Sequence, residues 1–292
     1  MKKDLKCKEF LERACLRSSQ ILSKDIFNLI SYSKPIIFGV GGVGSVVCEQ
    51  LVRMGVSELF IIDRDVCEIS NFNRQIGATF NTVENKIPKV HAIKNRLTSL
   101  NPYITIHDYM IDVSHEVDFC SNLAKTEKNQ VVFNCVDHEV AQINVATIAK
   151  LCHIPMIVGG VIGIGTDAFE TVINPQGMQY TEIFKFFNDR ESDKGKSSSE
   201  DEIHKLWYKS YKDKLINTDD INKDFSTYIY PVLTPLPWLI ASMMMIEFYH
   251  LITGINNPTY APNAVVFVSD TKKWETISIN AENRLNLLPW RP

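Results

Sequence analysis

Apolar positions along this chain fall into short runs separated by stretches of helical period. Runs at 35–38, 59–62, 104–109, 130–134 and 156–158 have the length of strands. Between them, helical patterns cover about 45–56, 86–100, 114–125 and 139–152. Strands alternating with helices predict a mostly parallel sheet with helices on both faces. After position 158 the rhythm changes. Gly159-Gly160 and Gly163-Ile164-Gly165 flank a strand-like stretch to 173, and strands adjacent in sequence pair antiparallel. A proline-rich stretch, 230–237, leads into an apolar helix at 238–253 with Gly254 as its C-cap. Runs at 264–269 and 275–279 predict a closing hairpin.

Two segments stand outside this pattern. Residues 1–30 read as a helical preface, with Leu11, Cys15, Leu16, Ile21 and Leu22 as one apolar stripe and Arg13 and Arg17 on the polar side. Residues 185–225 turn polar and read as a mobile insertion with one amphipathic helix at about 201–215, or alternatively as a lid over substrate.

The first strand runs into Gly39-Val40-Gly41-Gly42-Val43-Gly44, and a helix follows at once. Gly39, Gly41 and Gly44 fit the G-x-G-x-x-G spacing, with Gly42 as a further glycine. Glycines allow the tight turn and let a phosphate reach backbone N–H groups at the positive end of the helix. Asp63 follows 19 residues after Gly44, at the end of the second strand, where a carboxylate meets ribose hydroxyls. The expected fold is thus α/β: a Rossmann-like, mostly parallel sheet with helices on both faces, extended by antiparallel strands in the C-terminal half.

Composition narrows the class. The 292 residues are 45% hydrophobic and 22% charged, which suits a globular protein with a substantial core. A net charge of −3 gives no general pull toward nucleic acid or anionic membranes. The N-terminus lacks an apolar signal segment, and the apolar stretch at 236–246 is too short to span a bilayer, so a cytoplasmic chain is expected. The seven cysteines form no C-x-x-C pair, so they are expected as free thiols, and no zinc site is expected.

The dinucleotide-type fingerprint raises hydride transfer with NAD as one reading. The charges favour another. A dinucleotide pyrophosphate carries about two negative charges, which backbone amides handle, whereas a triphosphate carries about four and calls for cations and Mg²⁺. Arg74, Lys89 and Asp137 fall at strand carboxyl edges behind the one glycine turn, two as cations and one as a metal carboxylate.

These motifs in order also resemble a known family. Gly39-x-Gly41-Gly42-x-Gly44, Asp63-x-Asp65, Ser70-Asn71-x-x-Arg74-Gln75, Pro88-Lys89, Asn101-Pro102 and Cys135-x-Asp137 are similar to the ThiF/MoeB/ubiquitin-activating E1-like adenylyltransferases. A weaker match runs through Pro155 to Gly160 and Pro231 to Gly254. The resemblance implies attack of a substrate carboxylate on the α-phosphate of ATP–Mg²⁺, giving an acyl-adenylate and pyrophosphate. It implies that Gly41 and Gly42 belong to the phosphate loop, with Gly39 and Gly44 framing it. Asp63, with Asp65 beside it, serves the ribose side. Asn71, Arg74 and Lys89 contact phosphates, and Asp137 holds Mg²⁺. It also implies a homodimer in which an N-terminal arginine reaches the partner's nucleotide; Arg17 is the choice here, with Arg13 the other candidate. The chain then divides into a helical extension at 1–30, a nucleotide-binding subdomain at 31–160 and a substrate-binding and dimerisation subdomain at 161–292.

Departures from the family pattern are informative. The paired zinc cysteines are absent, and no cysteine follows Cys152, so no late thiol is present to take the acyl group. Cys135 reads as packing. This resembles the compact branch of the family, and the expected substrate is a peptide or ubiquitin-like protein C-terminal carboxylate. The alternatives are cyclisation of threonylcarbamoyl-adenosine in tRNA, a non-catalytic partner subunit of an E1-like pair, and the NAD-dependent oxidoreductase.

Overall fold

Consecutive residues of the central strands are buried on opposite faces, which is why those strands read as continuous apolar runs. The computed structural model describes residues 2–125, 130–162, 167–178, 180, 232–268 and 271–278. The insertion expected at 185–225 and its helix lie outside the described residues. The strands are β1 (Lys34–Phe38), β2 (Glu58–Ile62), β3 (Thr105–Tyr109), β4 (Gln130–Asn134), β5 (Met156–Ile162), β6 (Asp167–Ile173), β7 (Asn263–Val268) and β8 (Lys273–Ser278). They form one sheet in the order β3-β2-β1-β4-β5-β6-β7-β8. Pairing is parallel from β3 through β5 and antiparallel from β5 to β8.

The described helices are α1 (Lys2–Ala14), α2 (Lys24–Ser31), α3 (Gly42–Met54), α4 (Phe80–Glu84), α5 (Lys89–Leu100), α6 (Val117–Ala124), α7 (Glu139–Leu151) and α8 (Pro235–Thr253). Ile37, Leu59, Ile61, Phe133 and Ile157 face α3, α5 and α8. Ile36, Phe38, Phe60, Ile62 and Val132 face α6 and α7. The chain leaves β1 toward β2 on one side, and β4 takes the other side. That reversal of strand order opens a crevice at the carboxyl ends of β1 and β4, where α/β sheets bind ligands.

Several boundaries differ from expectation, each for a local reason. Helix α3 begins at Gly42, three residues early, because glycines cap it without a side chain. Helix α5 begins at Lys89 rather than 86: Pro88 stands at its N-cap and Lys86 has a left-handed φ of 46°. Helix α6 starts at Val117 rather than 114, after Asp112 Oδ1 accepts from the Ser114 N–H at 2.9 Å and turns the chain. Helix α8 takes in Pro235 and Pro237, which its first turn tolerates. Strand β5 runs on through Gly159 and Gly160. A side chain at Gly159 would meet Ile240 and Met244 of α8, and one at Gly160 would meet the Phe169 ring.

The N-terminal stripe is corrected as well. Leu11 and Cys15 are buried, but Leu16 and Ile21 are 60% and 86% exposed. Helix α1 stops at Ala14 and a 3₁₀ turn follows at Ser18–Gln20, so the helical period that aligned these residues is lost. Helix α8 is long and apolar enough to cross a membrane by length and composition alone. It packs instead on α3, β5 and β6.

Candidate functional site

The site is built from four strand ends. Beyond β1, Gly39 turns the chain with φ +84°, and a Cβ there would sit 2.6 Å from the Cys135 carbonyl oxygen. At Gly44 a Cβ would come within 1.9 Å of the Gly39 carbonyl oxygen. These two glycines let β1, α3 and the end of β4 pack backbone to backbone. Gly41 differs: nothing lies within 4 Å of where its Cβ would be. It is also the N-cap of α3 and supplies no capping side chain. The helix therefore presents its first N–H groups over open space, an arrangement suited to an anion.

Around that turn, an open cleft is lined by Gly39 and Gly41, by Asp63, Arg64 and Asp65 beyond β2, by Asp112 beyond β3, by Asp137 beyond β4, and by Lys89. Ile111, Val113, Val136 and Ala141 form its apolar part. The Asp63 carboxylate is fixed from behind: Oδ2 accepts from the Val40 N–H at 2.7 Å and Oδ1 from the Asp65 N–H at 2.8 Å. Burial pushes its pKa up, against the pull of Lys89 and those N–H groups. Each oxygen keeps a lone pair for a further donor such as a hydroxyl.

Lys89 opens α5, where the helix dipole opposes a cation. Its Nζ sits 2.8 Å from Asp65 Oδ2. Burial works against its charge, but Asp63, Asp65 and Asp137 outweigh that and raise its pKa, so it is fully ammonium at neutral pH. Arg64 Nη1 lies 2.8 Å from Asp112 Oδ2. Burial of Asp112 acts upward, but the Arg64 guanidinium and the Ser114 N–H hold its pKa down to about 2.

The sequence-derived candidates are placed as follows. Gly39, Gly41, Asp63, Asp65, Lys89 and Asp137 share the cleft. Arg74 does not line it; its methylenes lie against Gly42, while Nη1 donates to Ser70 O at 2.8 Å and Asn73 Oδ1 at 2.9 Å. Asn71 is buried, and its Oδ1 accepts from the Glu68 N–H at 3.1 Å. Gly42 and Gly44 belong to the first turn of α3. Arg17 and Arg13 are exposed at the far end of α3: the Cys15 thiol meets Arg53 O at 3.7 Å and packs by Gly55. A 13-residue helix is about 20 Å long, so neither arginine reaches its own chain's cleft.

Sequence reasoning missed Arg64 and Asp112. The signal was present: Asp112 follows the carboxyl end of a strand, the same rule that singled out Asp63 and Asp137. Cys135 lines the cleft but is pushed up to about 12 by burial and stays a neutral thiol. None of the seven cysteines is joined in a disulfide.

A triphosphate fits this donor set: uncapped helix N–H groups, open space above Gly41, and a lysine held charged by three carboxylates. Asp137 is exposed and offers one carboxylate to a magnesium ion that would draw its other oxygens from phosphates and water. Among the described residues no three His, Cys, Asp or Glu side chains gather as a metal cage.

Comparison with known proteins gives the following. The profile of the ThiF family matches residues 16–287. Mouse ubiquitin-like modifier-activating enzyme 5 is 35% identical over 119 residues, covering 38% of this chain and 29% of that protein. The tRNA threonylcarbamoyladenosine dehydratase of Bacillus subtilis is 37% identical over 86 residues, 30% of this chain and 33% of that one. These matches thus span about a third of each curated relative. The crystal structure of E. coli MccB with ATP superposes with a TM-score of 0.63 at 18% identity, over 87% of this chain and 66% of that one, which shows a common fold.

Proposed function

This chain belongs to the ThiF family, and from that premise we propose that it is an ATP-dependent adenylyltransferase acting on the C-terminal carboxylate of a peptide or ubiquitin-like protein. One observation carries the reading: Lys89, Asp63 and Asp137 line a single cleft with the uncapped glycine turn at the strand-order reversal. The substrate carboxylate attacks the α-phosphorus of ATP, the bond from that phosphorus to the bridging oxygen breaks, and pyrophosphate leaves. No protein nucleophile is required.

The residues of this chain act by position and charge. The N–H groups opening α3 hold phosphate oxygens, and Asp63 takes the ribose hydroxyls. Lys89 offsets the charge that builds on the phosphates in the transition state. Arg74, anchored on Ser70 O beside Gly42, approaches them from the other side of the turn, with Asn71 bracing the loop that carries it. Asp137 would hold magnesium, which supplies further charge neutralisation. Arg17, or Arg13, completes the site of a second copy in a homodimer, since neither can reach its own.

The test is ATP–pyrophosphate exchange with the full chain. Exchange dependent on a peptide with a free C-terminus, and abolished by C-terminal amidation, supports the reading. Absence of exchange with every carboxylate offered, under conditions where ATP binds, overturns it. The Bacillus subtilis relative favours a second reading, dehydration of threonylcarbamoyl-adenosine in tRNA through the same adenylate chemistry. Under that reading modified tRNA, not a peptide, drives AMP formation.

A further inference from the structure

Arg64 has no part in the phosphate chemistry above, yet it belongs to the cleft wall. It follows Asp63, so it stands one residue beyond the carboxylate assigned to ribose. Its guanidinium is tied to the neighbouring strand end: Nη1 meets Asp112 Oδ2 at 2.8 Å, and Nε lies 3.6 Å from Asp65 Oδ1. Asp112 is itself anchored, its Oδ1 accepting from the Ser114 N–H at 2.9 Å. Asp112 lies between Ile111 and Val113, which with Val136 and Ala141 make the apolar part of the cleft. Half of the Arg64 side chain remains exposed.

The chemistry of the two ends assigns the ligand's orientation. Phosphates belong with the helix N–H groups and Lys89. The base, flat and poorly hydrated on its faces, belongs at the apolar end. Arg64 stands one carboxylate away from Lys89, since Asp65 meets Lys89 Nζ through Oδ2 and Arg64 Nε through Oδ1, and its Nη1 is turned instead to Asp112, between Ile111 and Val113. A guanidinium is planar and weakly hydrated, and it stacks on aromatic faces where an ammonium is held by water.

Resting on the nucleotide reading above, we propose that Arg64 is a specificity-determining residue for the base, its guanidinium pinned by Asp112 so that it lies over one face of a purine and closes the apolar end of the cleft. Asp112 is a positioning residue that acts on the base through Arg64, its other oxygen being taken by the Ser114 N–H. The pair spans the ends of β2 and β3, so the plane is oriented before ligand arrives and little freedom is lost on binding.

The experiment is isothermal titration of the full chain with three probes: ATP–Mg²⁺, AMP and inorganic tripolyphosphate. With Arg64→Ala, AMP and ATP are expected to bind about threefold to thirtyfold more weakly while tripolyphosphate is unchanged. Arg64→Lys keeps the charge and loses the plane, and is expected to match the alanine variant. Asp112→Asn is expected to lose part of the same affinity, and the Arg64→Ala/Asp112→Asn double variant no more than Arg64→Ala alone. Thermal melting of each variant checks the fold, which the exposed position of Arg64 should preserve. Equal weakening of tripolyphosphate would make Arg64 a phosphate ligand and overturn the proposal. So would unchanged AMP binding in Arg64→Ala, or wild-type affinity in Arg64→Lys. If the wild-type chain binds neither AMP nor ATP, the nucleotide reading itself falls, and this proposal with it.

Discussion

Glu170 on β6 and Glu247 on α8 face each other inside the protein, 2% and 4% exposed. Burial, the neighbouring Glu247 carboxylate and the hydrogen bond between the two push Glu170 up to about 9. Glu247 Oε2 also accepts from the Thr259 N–H at 3.0 Å, and His250 Nδ1 lies 3.8 Å from it. The proton on Glu170 is therefore part of the native packing. Its ordinary value is 4.5, so the native state binds a proton that the unfolded chain gives up. The stabilisation is complete below that value and is lost as pH rises toward about 9. Wild-type melting temperature is expected to fall across this window, and Glu170→Gln is expected to flatten that fall. Melting curves of both proteins from acid to alkaline pH check it; equal slopes would refute the shared proton.

The glycine turn separates structural from functional glycines. Gly39→Ala places a Cβ against the Cys135 carbonyl at a left-handed φ, and is expected to destabilise the fold by about 2 kcal/mol or more. Gly41→Ala meets no atom of the protein. It is expected to leave stability within about 0.5 kcal/mol while weakening ATP by about 1–3 kcal/mol, because the methyl takes space that phosphate needs. Chemical denaturation and ATP titration measure the two effects independently.

Lys89→Ala and Asp137→Asn are expected to lower pyrophosphate exchange by a factor on the order of 10²–10³ each. Circular dichroism should be unchanged, since Asp137 is exposed and Lys89 Nζ is held by Asp65, another residue of the cleft wall. Retained exchange in Lys89→Ala would remove the lysine from the proposed chemistry.

An arginine supplied by a second copy predicts complementation. The Arg13→Ala/Arg17→Ala chain and the Lys89→Ala chain are each expected to be nearly inactive in exchange. Mixed and allowed to re-associate, they are expected to form some dimers in which one cleft has both its own Lys89 and the partner's arginines, so that activity returns. Activity in the mixture no higher than the sum of the two alone would reject the shared site.

The parallel half was legible because burial on both faces leaves a plain mark. Ile36-Ile37-Phe38 and Val131-Val132-Phe133 are buried without interruption; helix α3 also buries Val46-Val47-Cys48 in a row, so it is the shortness of the runs and their β-branched and aromatic residues that mark strands. Helix starts were less legible. Gly42, Lys89 and Pro235 open helices through backbone geometry and proline placement, not through capping side chains. The Leu16 and Ile21 stripe misled because periodicity assumes one unbroken helix, and the break at Ala14 turned both outward. At the site, the strand-end rule was applied beyond β1, β2 and β4 but not beyond β3. Asp112 and its tie to Arg64 therefore emerge only from the fold.

Helix α8 fills one side of the sheet, where Ile240, Met243, Met244 and Phe248 join Ile37, Val47, Phe133 and Ile157 in a single core. Every strand that shapes the cleft comes from the first 162 residues, but that core is completed by a helix starting at Pro235. The first 162 residues alone therefore lack the α8 side chains that pack on Ile37, Phe133 and Ile157. Excised on its own, that segment is expected to expose apolar surface and aggregate, because a single helix from the far end of the sequence closes its core.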